Sequence, residues 1–204
     1  MIMKLIFATG NKNKLREIKE IMAGLDYEII TAAEAGIFSD PEENGQSFEE
    51  NALIKARAVY EASDRSSIVM ADDSGLCIDC MGGERGELGI HSARFLGHDT
   101  SYDIKNREVL KIMKNVPETE RTARFVCAIA AVLPSGREIT VRESMEGLIA
   151  FDISGANGFG YDPIFFLPEF GRTSAEISPE AKNLISHRGK ALRHMRAVIS
   201  EAVM

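Results

Sequence analysis

The sequence places two adjacent carboxylates, Asp72 and Asp73, directly after an apolar run, residues 67–71, and directly before Ser74 and Gly75. A buried strand that ends in acidic residues and a turn is where open α/β sheets place their ligand chemistry. Neighbouring residues of an extended strand point to opposite faces, so only one of the two carboxylates is expected to face a site. Spacing alone does not choose between them, and a simple capped turn over residues 72–75 is the alternative.

Two predicted helices begin with cationic residues, where the helix dipole disfavours positive charge. A strand, a glycine turn and a basic helix start together form a phosphate-binding arrangement, although no P-loop motif is present. A solvated cluster of lysines is the alternative for the first of these helices. The repetition favours a bound polyanion. The cations are Lys12, Lys14 and Arg16 in the first helix and His187, Arg188 and Lys190 in the last.

Carboxylates at a strand end combined with these cations indicate metal-assisted phosphoryl or nucleotidyl chemistry. Magnesium suits such a site because it prefers oxygen ligands, few protein carboxylates and substrate phosphates. Ser47 and Glu50 fit a capping box, so Glu50 has a purely structural explanation as well. Asn51 and Lys55 are four residues apart and share a helix flank. The glycine-rich segment 154–163 would let backbone approach a ligand while an aromatic ring stacks on it, or it is a plain turn.

Composition indicates a globular enzyme and gives no sign of a surface that coats nucleic acid or a membrane. The chain has 204 residues, 45% hydrophobic and 27% charged, with a net charge of −7. This favours neither nucleic acid nor a membrane as partner. The N-terminal apolar run is too short for a signal peptide, so we expect a first strand in a cytoplasmic protein. Cys77 and Cys80 match half of a zinc site, but small half-buried residues are the simpler interpretation.

The elements that would position these residues alternate between strands and helices and then form a hairpin, which predicts an α/β domain with a mixed sheet over residues 1–204. A helix is expected to end near Ala23 at Gly24, and the glycine-rich residues 77–97 are expected to be a surface excursion. The predicted strands are 1–9, 27–31, 67–70, 121–133, 138–145 and 164–166, and the predicted helices begin near residues 11, 47, 101, 178 and 187.

Six motifs, in order over nearly the whole chain, together resemble the inosine triphosphate pyrophosphatase family. No single motif decides the resemblance, but their shared register does. They are Thr9-Gly10-Asn11-x-x-Lys14, Phe48-Glu49-Glu50-Asn51-Ala52, Ala71-Asp72-Asp73-Ser74-Gly75-Leu76, Ser92-Ala93-Arg94, Gly158-Phe159-Gly160-Tyr161-Asp162-Pro163 and Ser186-His187-Arg188-Gly189.

The resemblance implies an elongated α/β fold with a central mixed twisted sheet flanked by helices, two lobes around an active-site cleft, and a homodimer. It implies magnesium-dependent hydrolysis of dITP, ITP and XTP to the monophosphate and pyrophosphate. Asp73 would be the catalytic base and a metal-associated carboxylate, and Glu50 a further metal ligand. The substrate-binding residues would be Thr9, Gly10, Asn11, Lys12, Asn13, Lys14, Lys55, Ser74, Phe159, Gly160, Tyr161, Asp162, Lys182, His187 and Arg188.

One region departs from the family pattern. The segment of residues 82–90 is longer than the family pattern predicts, and His91 stands where the family has a tyrosine before Ser92-Ala93-Arg94. This affects the expected loop shape and nucleotide preference rather than the reaction. Two alternatives stay open at this point. One is a septum-inhibitor-type pyrophosphatase acting on modified pyrimidine nucleotides, and the other is a nucleotide sensor without catalysis.

Overall fold

The structure is a computed structural model that describes residues 3–22 and 27–203. All the predicted strands and helices form, some with different bounds, and a short strand at Arg172–Thr173 forms that the sequence does not predict. Asn11, Ser47, Ser101 and Ser178 each cap a helix by accepting a backbone N–H. The elements are β1 (Met3–Phe7), α1 (Lys12–Ile21), β2 (Tyr27–Thr31), α2 (Phe48–Ala62), β3 (Ile68–Ile78), α3 (Tyr102–Ile112), β4 (Thr122–Val132), β5 (Glu138–Ile149), β6 (Phe165–Leu167), β7 (Arg172–Thr173), α4 (Pro179–Ile185) and α5 (His187–Val203).

Within the described residues, seven strands form one sheet in the order β2-β1-β3-β4-β5-β6-β7. β1 pairs in parallel with both β2 and β3, whereas β6 pairs antiparallel with both β5 and β7. The predicted mixed sheet with flanking helices is therefore confirmed. None of the helices in the described part of the chain has the length and apolar character that a membrane crossing requires.

The chain divides into two compact units, which are described separately. Unit 1 comprises Met1–Asp73, Cys127–Glu143 and Arg188–Met204, and unit 2 comprises Ser74–Val126 and Ser144–His187. The division falls within β3, between Asp73 and Ser74, and also within β4 and β5.

In unit 1, the two faces of β3 pack against different helices. Ile68 and Met70 belong to a core that includes Ile18 and Met22 of the α1 region and Leu192 of α5, besides residues of β1 and β4. On the opposite face, Val69 packs with Ile6 and with Val59 of α2. This alternation determines the surroundings of the polar residues that follow in the same strand.

The core of unit 2 lies under α3 and the second half of β3. It joins Leu76 and Ile78 of β3 to Val109 and Met113 of the α3 region. The rings of Phe125 and Phe165 contact each other in this core with centroids 4.5 Å apart. The remaining buried members are Leu88, Phe95, Ala123, Met145, Ile149, Tyr161, Ile164, Leu167 and Ile177.

Two expectations about the segment after residue 70 need correction. The prediction that the strand ends in a turn over residues 72–75 is wrong, because β3 continues to Ile78. Its neighbours in the sheet are β1 and β4, and pairing on both sides outweighs the local turn preference of the Asp-Asp-Ser-Gly sequence. The following glycine-rich segment is irregular as predicted, but Leu88 and Ser92 are buried, so it is not wholly a surface excursion.

The remaining element boundaries differ in smaller ways. β5 ends at Ile149 rather than near residue 145. The hairpin turn between β4 and β5 is confirmed: the N–H of Leu133 donates to Arg137 and that of Gly136 donates to Leu133. The expected end of the first helix at Ala23 and Gly24 lies outside the described residues.

Candidate functional site

Asp72 lies on the face of β3 that is covered by α1 and α5. Its Oδ2 contacts Lys14 Nζ at 2.8 Å and accepts from both Nε and Nη2 of Arg188 at 3.3 Å. Arg188 also donates through Nη1 to Glu17 Oε2 at 2.6 Å. Asp72 and Arg188 are only 2% and 3% exposed. Two carboxylates and two cations therefore form a buried ionic cluster in unit 1.

The cluster fixes the charge state of Asp72. Burial alone would raise the pKa of this carboxyl, but the charges of Lys14 and Arg188 outweigh burial and hold the pKa far below its usual value. Burial likewise acts to lower the pKa of Arg188, and the charge of Asp72 reverses that effect and raises it. Asp72 is thus an ionised anchor for two cations, which makes it a poor proton acceptor.

Asp73 lies on the opposite face of β3, toward α2. Its Oδ1 accepts from Lys55 Nζ at 2.8 Å, and Asn51 Nδ2 stands 3.4 Å from its Oδ2. Lys55 Nζ also contacts Glu43 Oε2 at 3.3 Å. Burial raises the pKa of Asp73, and the nearby lysine charges offset this only in part. A carboxylate with a raised pKa beside a cation is a suitable general base.

The start of α2 holds Asn51 and Lys55 in place one helical turn apart. Ser47 Oγ accepts from the N–H of Glu50 at 3.2 Å, as the capping box predicts, but Glu50 Oε2 accepts from Gln46 at 2.6 Å rather than from Ser47. Asn51 Oδ1 accepts from the N–H of Gly45 at 2.9 Å. A Cβ at Gly45 would come within 2.6 Å of that oxygen, so the close approach requires glycine there.

The loop before α1 is organised by its own side chains. Thr9 Oγ1 accepts from the N–H of Asn11 at 3.2 Å. Asn11 Oδ1 in turn accepts from Asn13 and Lys14 at 3.0 and 3.3 Å, which caps the helix. Gly10 has open space around the position of a Cβ. The side chain of Lys12 lies outside the described residues.

In unit 2, Asp162 is the centre of a second polar cluster. Its Oδ2 accepts from Lys182 Nζ at 2.6 Å and from the N–H of Phe159 at 2.8 Å, and its Oδ1 accepts from Ser174 Oγ at 2.6 Å. Lys182 Nζ lies 5.1 Å from the centre of the Phe159 ring. Gly158 has φ +74°, and a Cβ there would lie 2.1 Å from Asp162 Oδ2, so glycine is required for two reasons.

The remaining residues of unit 2 that are expected to bind substrate differ in their burial and in their contacts. Tyr161 is buried, and its hydroxyl donates to the carbonyl of Ser92 at 2.8 Å, so this ring belongs to the core. Phe159 is the half-buried aromatic of the loop. The His187 ring stacks on Phe125 with centroids 4.9 Å apart. Ser74 is half-buried within β3.

Sequence reasoning missed several residues that hold these side chains. Glu17 pairs with Arg188, and its spacing of three residues from Lys14 on α1 was an available signal. Ser174 fixes Asp162 from a short segment after β7, and no pattern in the sequence points to it. Asp72 was left undecided beside Asp73, and its role depends on Arg188, which is 116 positions away.

The residues of unit 1 fit the magnesium ion that the family resemblance implies. Asp73 and Glu50 supply carboxylate oxygens, and Glu50 Oε1 has no hydrogen-bond partner among the described residues. Over residues 3–22 and 27–203, no group of three or more His, Cys, Asp or Glu side chains is arranged to hold a metal. Two carboxylates together with substrate phosphates are the usual ligands of Mg²⁺, so the donor chemistry is suitable.

Comparisons with known proteins agree with the motifs. A model of the Ham1 family matches residues 5–198. A dITP/XTP pyrophosphatase of Desulforamulus reducens is 41% identical over 198 residues, covering 97% of this chain and 96% of the relative. One of Clostridium perfringens is 44% identical over 197 residues, covering 95% of each chain. The solved structure of a Ham1 protein from Coxiella burnetii has a TM-score of 0.86 at 35% identity, covering 98% of this chain and 99% of that one. This chain belongs to the Ham1 family.

Proposed function

We propose that the chain hydrolyses non-standard purine nucleoside triphosphates, namely dITP, ITP and XTP, to the monophosphate and pyrophosphate. One observation carries the proposal: the adjacent carboxylates have different partners, since Asp72 is held by Lys14 and Arg188 and Asp73 lies on the opposite face of β3 beside Lys55. The names of the Desulforamulus and Clostridium relatives, which are dITP/XTP pyrophosphatases, supply the substrate class.

In the proposed reaction, Asp73 removes a proton from the water that attacks the α-phosphorus. A new P–O bond forms, the bond to the bridging oxygen breaks, and pyrophosphate leaves. General base catalysis of this kind contributes about 10²- to 10⁴-fold in rate. Lys55, which contacts Asp73 at 2.8 Å, brings a positive charge to the place where negative charge increases on the phosphates.

The phosphate end of the nucleotide is proposed to bind at the loop and first turn of α1. Lys14 supplies the charge, and Asp72 holds its ammonium group at 2.8 Å. Thr9, Gly10, Asn11, Lys12 and Asn13 belong to the same segment. The open space beside Gly10 favours close approach of a ligand to this backbone.

The base is proposed to bind in unit 2. Phe159 would stack on the purine, and Lys182 and Asp162 would recognise the 6-oxo group and the adjacent ring N–H, with Ser74 and His187 as further contacts in that unit. The expected substrate role of Arg188, which belongs to unit 1, rests on the family resemblance alone. Gly160 and Tyr161 would shape the loop. Adenine carries a donor where hypoxanthine has an acceptor, so its binding would leave buried polar partners unpaired, which is the strong form of discrimination.

Magnesium is proposed as the metal, with Glu50 and Asp73 as its protein ligands. When bound, it would neutralise charge on the phosphates and polarise the reacting phosphoryl group. Addition of a chelator should abolish turnover, and added Mg²⁺ should restore it. Full activity in excess chelator would contradict the metal requirement.

The substrate claim is tested by incubating the enzyme and Mg²⁺ with dITP, XTP, ATP and dGTP and measuring pyrophosphate and orthophosphate separately. We expect pyrophosphate from dITP and XTP and little product from ATP, whose 6-amino group is a donor. Because guanine shares the 6-oxo group and ring N–H of hypoxanthine, the rate with dGTP measures any discrimination at position 2 of the purine. Asp40→Asn, which removes an exposed carboxylate, serves as the matched control for site variants. Release of orthophosphate, or equal turnover of ATP, would contradict the proposal.

We further propose that residues 1–204 act as a single domain that functions as a cytoplasmic homodimer. The family resemblance supports the dimer. Light scattering coupled to size-exclusion chromatography measures the mass in solution. A monomer mass of 22.4 kDa at all working concentrations would contradict it.

A further inference from the structure

Helix α3 buries two polar side chains whose hydrogen bonds are made to loops outside the helix. Lys105 and Asn106 are 1% and 3% exposed, beside the apolar Val109 that packs in the core of unit 2. Neither residue takes part in the proposed reaction. Each contacts a different loop, and both loops belong to motifs of the sequence analysis.

Lys105 binds the first loop. Its Nζ donates to the carbonyl of Ala93 at 2.7 Å and lies 5.1 Å from the centre of the Tyr102 ring. Within the described residues, no carboxylate lies within ion-pair distance of this ammonium, and burial lowers its pKa. A buried ammonium without an acidic partner is unfavourable for folding, so stability alone does not explain a lysine here.

Asn106 binds the second loop. Its Nδ2 donates to the carbonyl of Gly160 at 3.1 Å, and because a carbonyl only accepts, this contact fixes which way the side-chain amide faces. The Oδ1 is buried and has no hydrogen-bond partner among the described residues. Such an orphan acceptor is also unfavourable for folding. The hydrogen bond of this amide in the structure is therefore made through its donor.

The two loops also contact each other directly. Helix α3 and the two loops therefore form one set of connected contacts, which we call the α3 contact network. Tyr161 donates from its hydroxyl to the carbonyl of Ser92 at 2.8 Å. The Tyr161 ring meets the edge of the Tyr102 ring with centroids 5.2 Å apart. Helix α3, the Ser92–Ala93 segment and the Gly160–Tyr161 segment therefore fix one another through buried contacts.

The α3 contact network adjoins the residues that are proposed to bind the base. Gly160 separates Phe159 from Tyr161, and the N–H of Phe159 donates to Asp162 Oδ2 at 2.8 Å. We propose that Lys105 and Asn106 are positioning residues, which hold the loop so that Phe159 and Asp162 meet the purine base in one orientation. This inference rests on the proposed function.

The test replaces each donor with an apolar side chain of similar size, Asn106→Leu and Lys105→Met, in the full-length chain. Arg107→Met is the matched control, because Arg107 is exposed on the same helix and, within the described residues, forms an ion pair with Asp103 alone. The initial rate of pyrophosphate release is measured over a range of dITP concentrations in Mg²⁺. We expect KM to rise about tenfold in each variant, with kcat within about twofold of the unchanged enzyme and no change in the control.

The division between KM and kcat separates positioning from a merely structural role. Partial unfolding lowers the concentration of active enzyme and so lowers the apparent kcat, but it leaves KM unchanged. An unchanged KM in both variants therefore overturns the inference, even where one variant is unstable. Failure of both variants to fold also overturns it, since the buried ammonium and the orphan acceptor should be dispensable for folding.

The proposed function is judged on the unchanged enzyme alone. If that enzyme leaves dITP and XTP intact, the substrate proposal fails, and the inference fails with it. If it releases pyrophosphate while both variants keep its KM, the inference alone is wrong.

Discussion

The two faces of β3 treat identical side chains in opposite ways. Asp72 faces α1 and α5, where Lys14 and Arg188 hold it ionised. Asp73 faces α2, where burial raises its pKa although Lys55 lies 2.8 Å away. Both residues are carboxylates in one strand, and they differ only in what each face packs against.

The difference shows that one strand can carry a carboxylate that stabilises the fold on one face and a carboxylate suited to accept a proton on the other. A carboxylate whose pKa is lowered by folding stabilises the fold through its ionised form. One whose pKa is raised is disfavoured in its ionised form, which makes it readier to accept a proton. If the two faces differ in this way, substitutions of Asp72 and Asp73 should affect stability and turnover differently.

The largest effect is expected from Asp73→Asn. Because asparagine cannot accept the proton from water, we expect turnover of dITP to fall by about 10²- to 10⁴-fold. Nucleotide binding should persist, since the phosphate and base contacts proposed above do not include the proton acceptor. Pyrophosphate release measures the first quantity and isothermal titration calorimetry the second. Near-normal turnover would reject Asp73 as the base.

The next effect is expected in stability, from Asp72→Asn. The change takes the ionised partner Asp72 from Lys14 and from the buried Arg188, which keeps its contact with Glu17. Removing one member of a buried ionic cluster destabilises by about 3–5 kcal/mol. Urea denaturation followed by circular dichroism measures the free energy of unfolding. A loss smaller than about 1 kcal/mol would show that the cluster is not closed to water.

A smaller loss of activity is expected from Lys55→Met. The variant removes the cation beside Asp73, and the loss of one such charge-stabilising donor lowers kcat by about 10²- to 10³-fold. Lys111→Met is the control, because Lys111 is exposed on α3 and forms an ion pair only with Glu108 in the part of the chain that the structure describes. Equal kcat values for the two lysine variants would remove Lys55 from the proposed mechanism.

The smallest effect concerns thiol reactivity and reports on the face of Asp72. Burial, with the charge of Asp72 adding to it, raises the pKa of Cys127 to about 12. Cys77 is buried and Cys80 is exposed. At pH 8 we therefore expect a chromogenic disulfide reagent to modify Cys80 rapidly and Cys127 only after denaturation. Rapid labelling of Cys127 in the folded Cys77→Ser/Cys80→Ser double variant would mean that water reaches this face.

The sequence predicts local features well where a side chain acts on its own backbone. Ser47 caps α2 as the capping box predicts, and α1 begins near residue 11 as predicted, because a cap needs only residues two or three positions away. The turn after Asp72 was predicted from the same local rules, and it fails because β3 is paired with neighbours on both sides. Pairing of that kind is not visible in a short window.

The candidate site shows the same contrast between local features, which the sequence predicts, and contacts between distant residues, which it does not. The carboxylates and cations are recognisable as residue types, but their pairing depends on long separations in sequence. Lys55 and Asp73 are 18 positions apart, and Arg188 and Asp72 are 116 apart. Only packing reveals that Asp72 is the anchor, and only packing brings Lys105 and Asn106 to the loops they hold.

The most direct test of the assignment of Asp73 as base and Asp72 as anchor is one paired measurement. The free energy of unfolding and kcat are measured for Asp72→Asn and Asp73→Asn side by side. Asp73→Asn should lose turnover and lose less stability than Asp72→Asn, because Lys55 keeps its contact with Glu43 and burial disfavours the ionised form of Asp73. Asp72→Asn should lose about 3–5 kcal/mol of stability. If both variants lose stability equally, or if Asp73→Asn keeps its turnover, the two faces of β3 do not have the separate roles assigned to them.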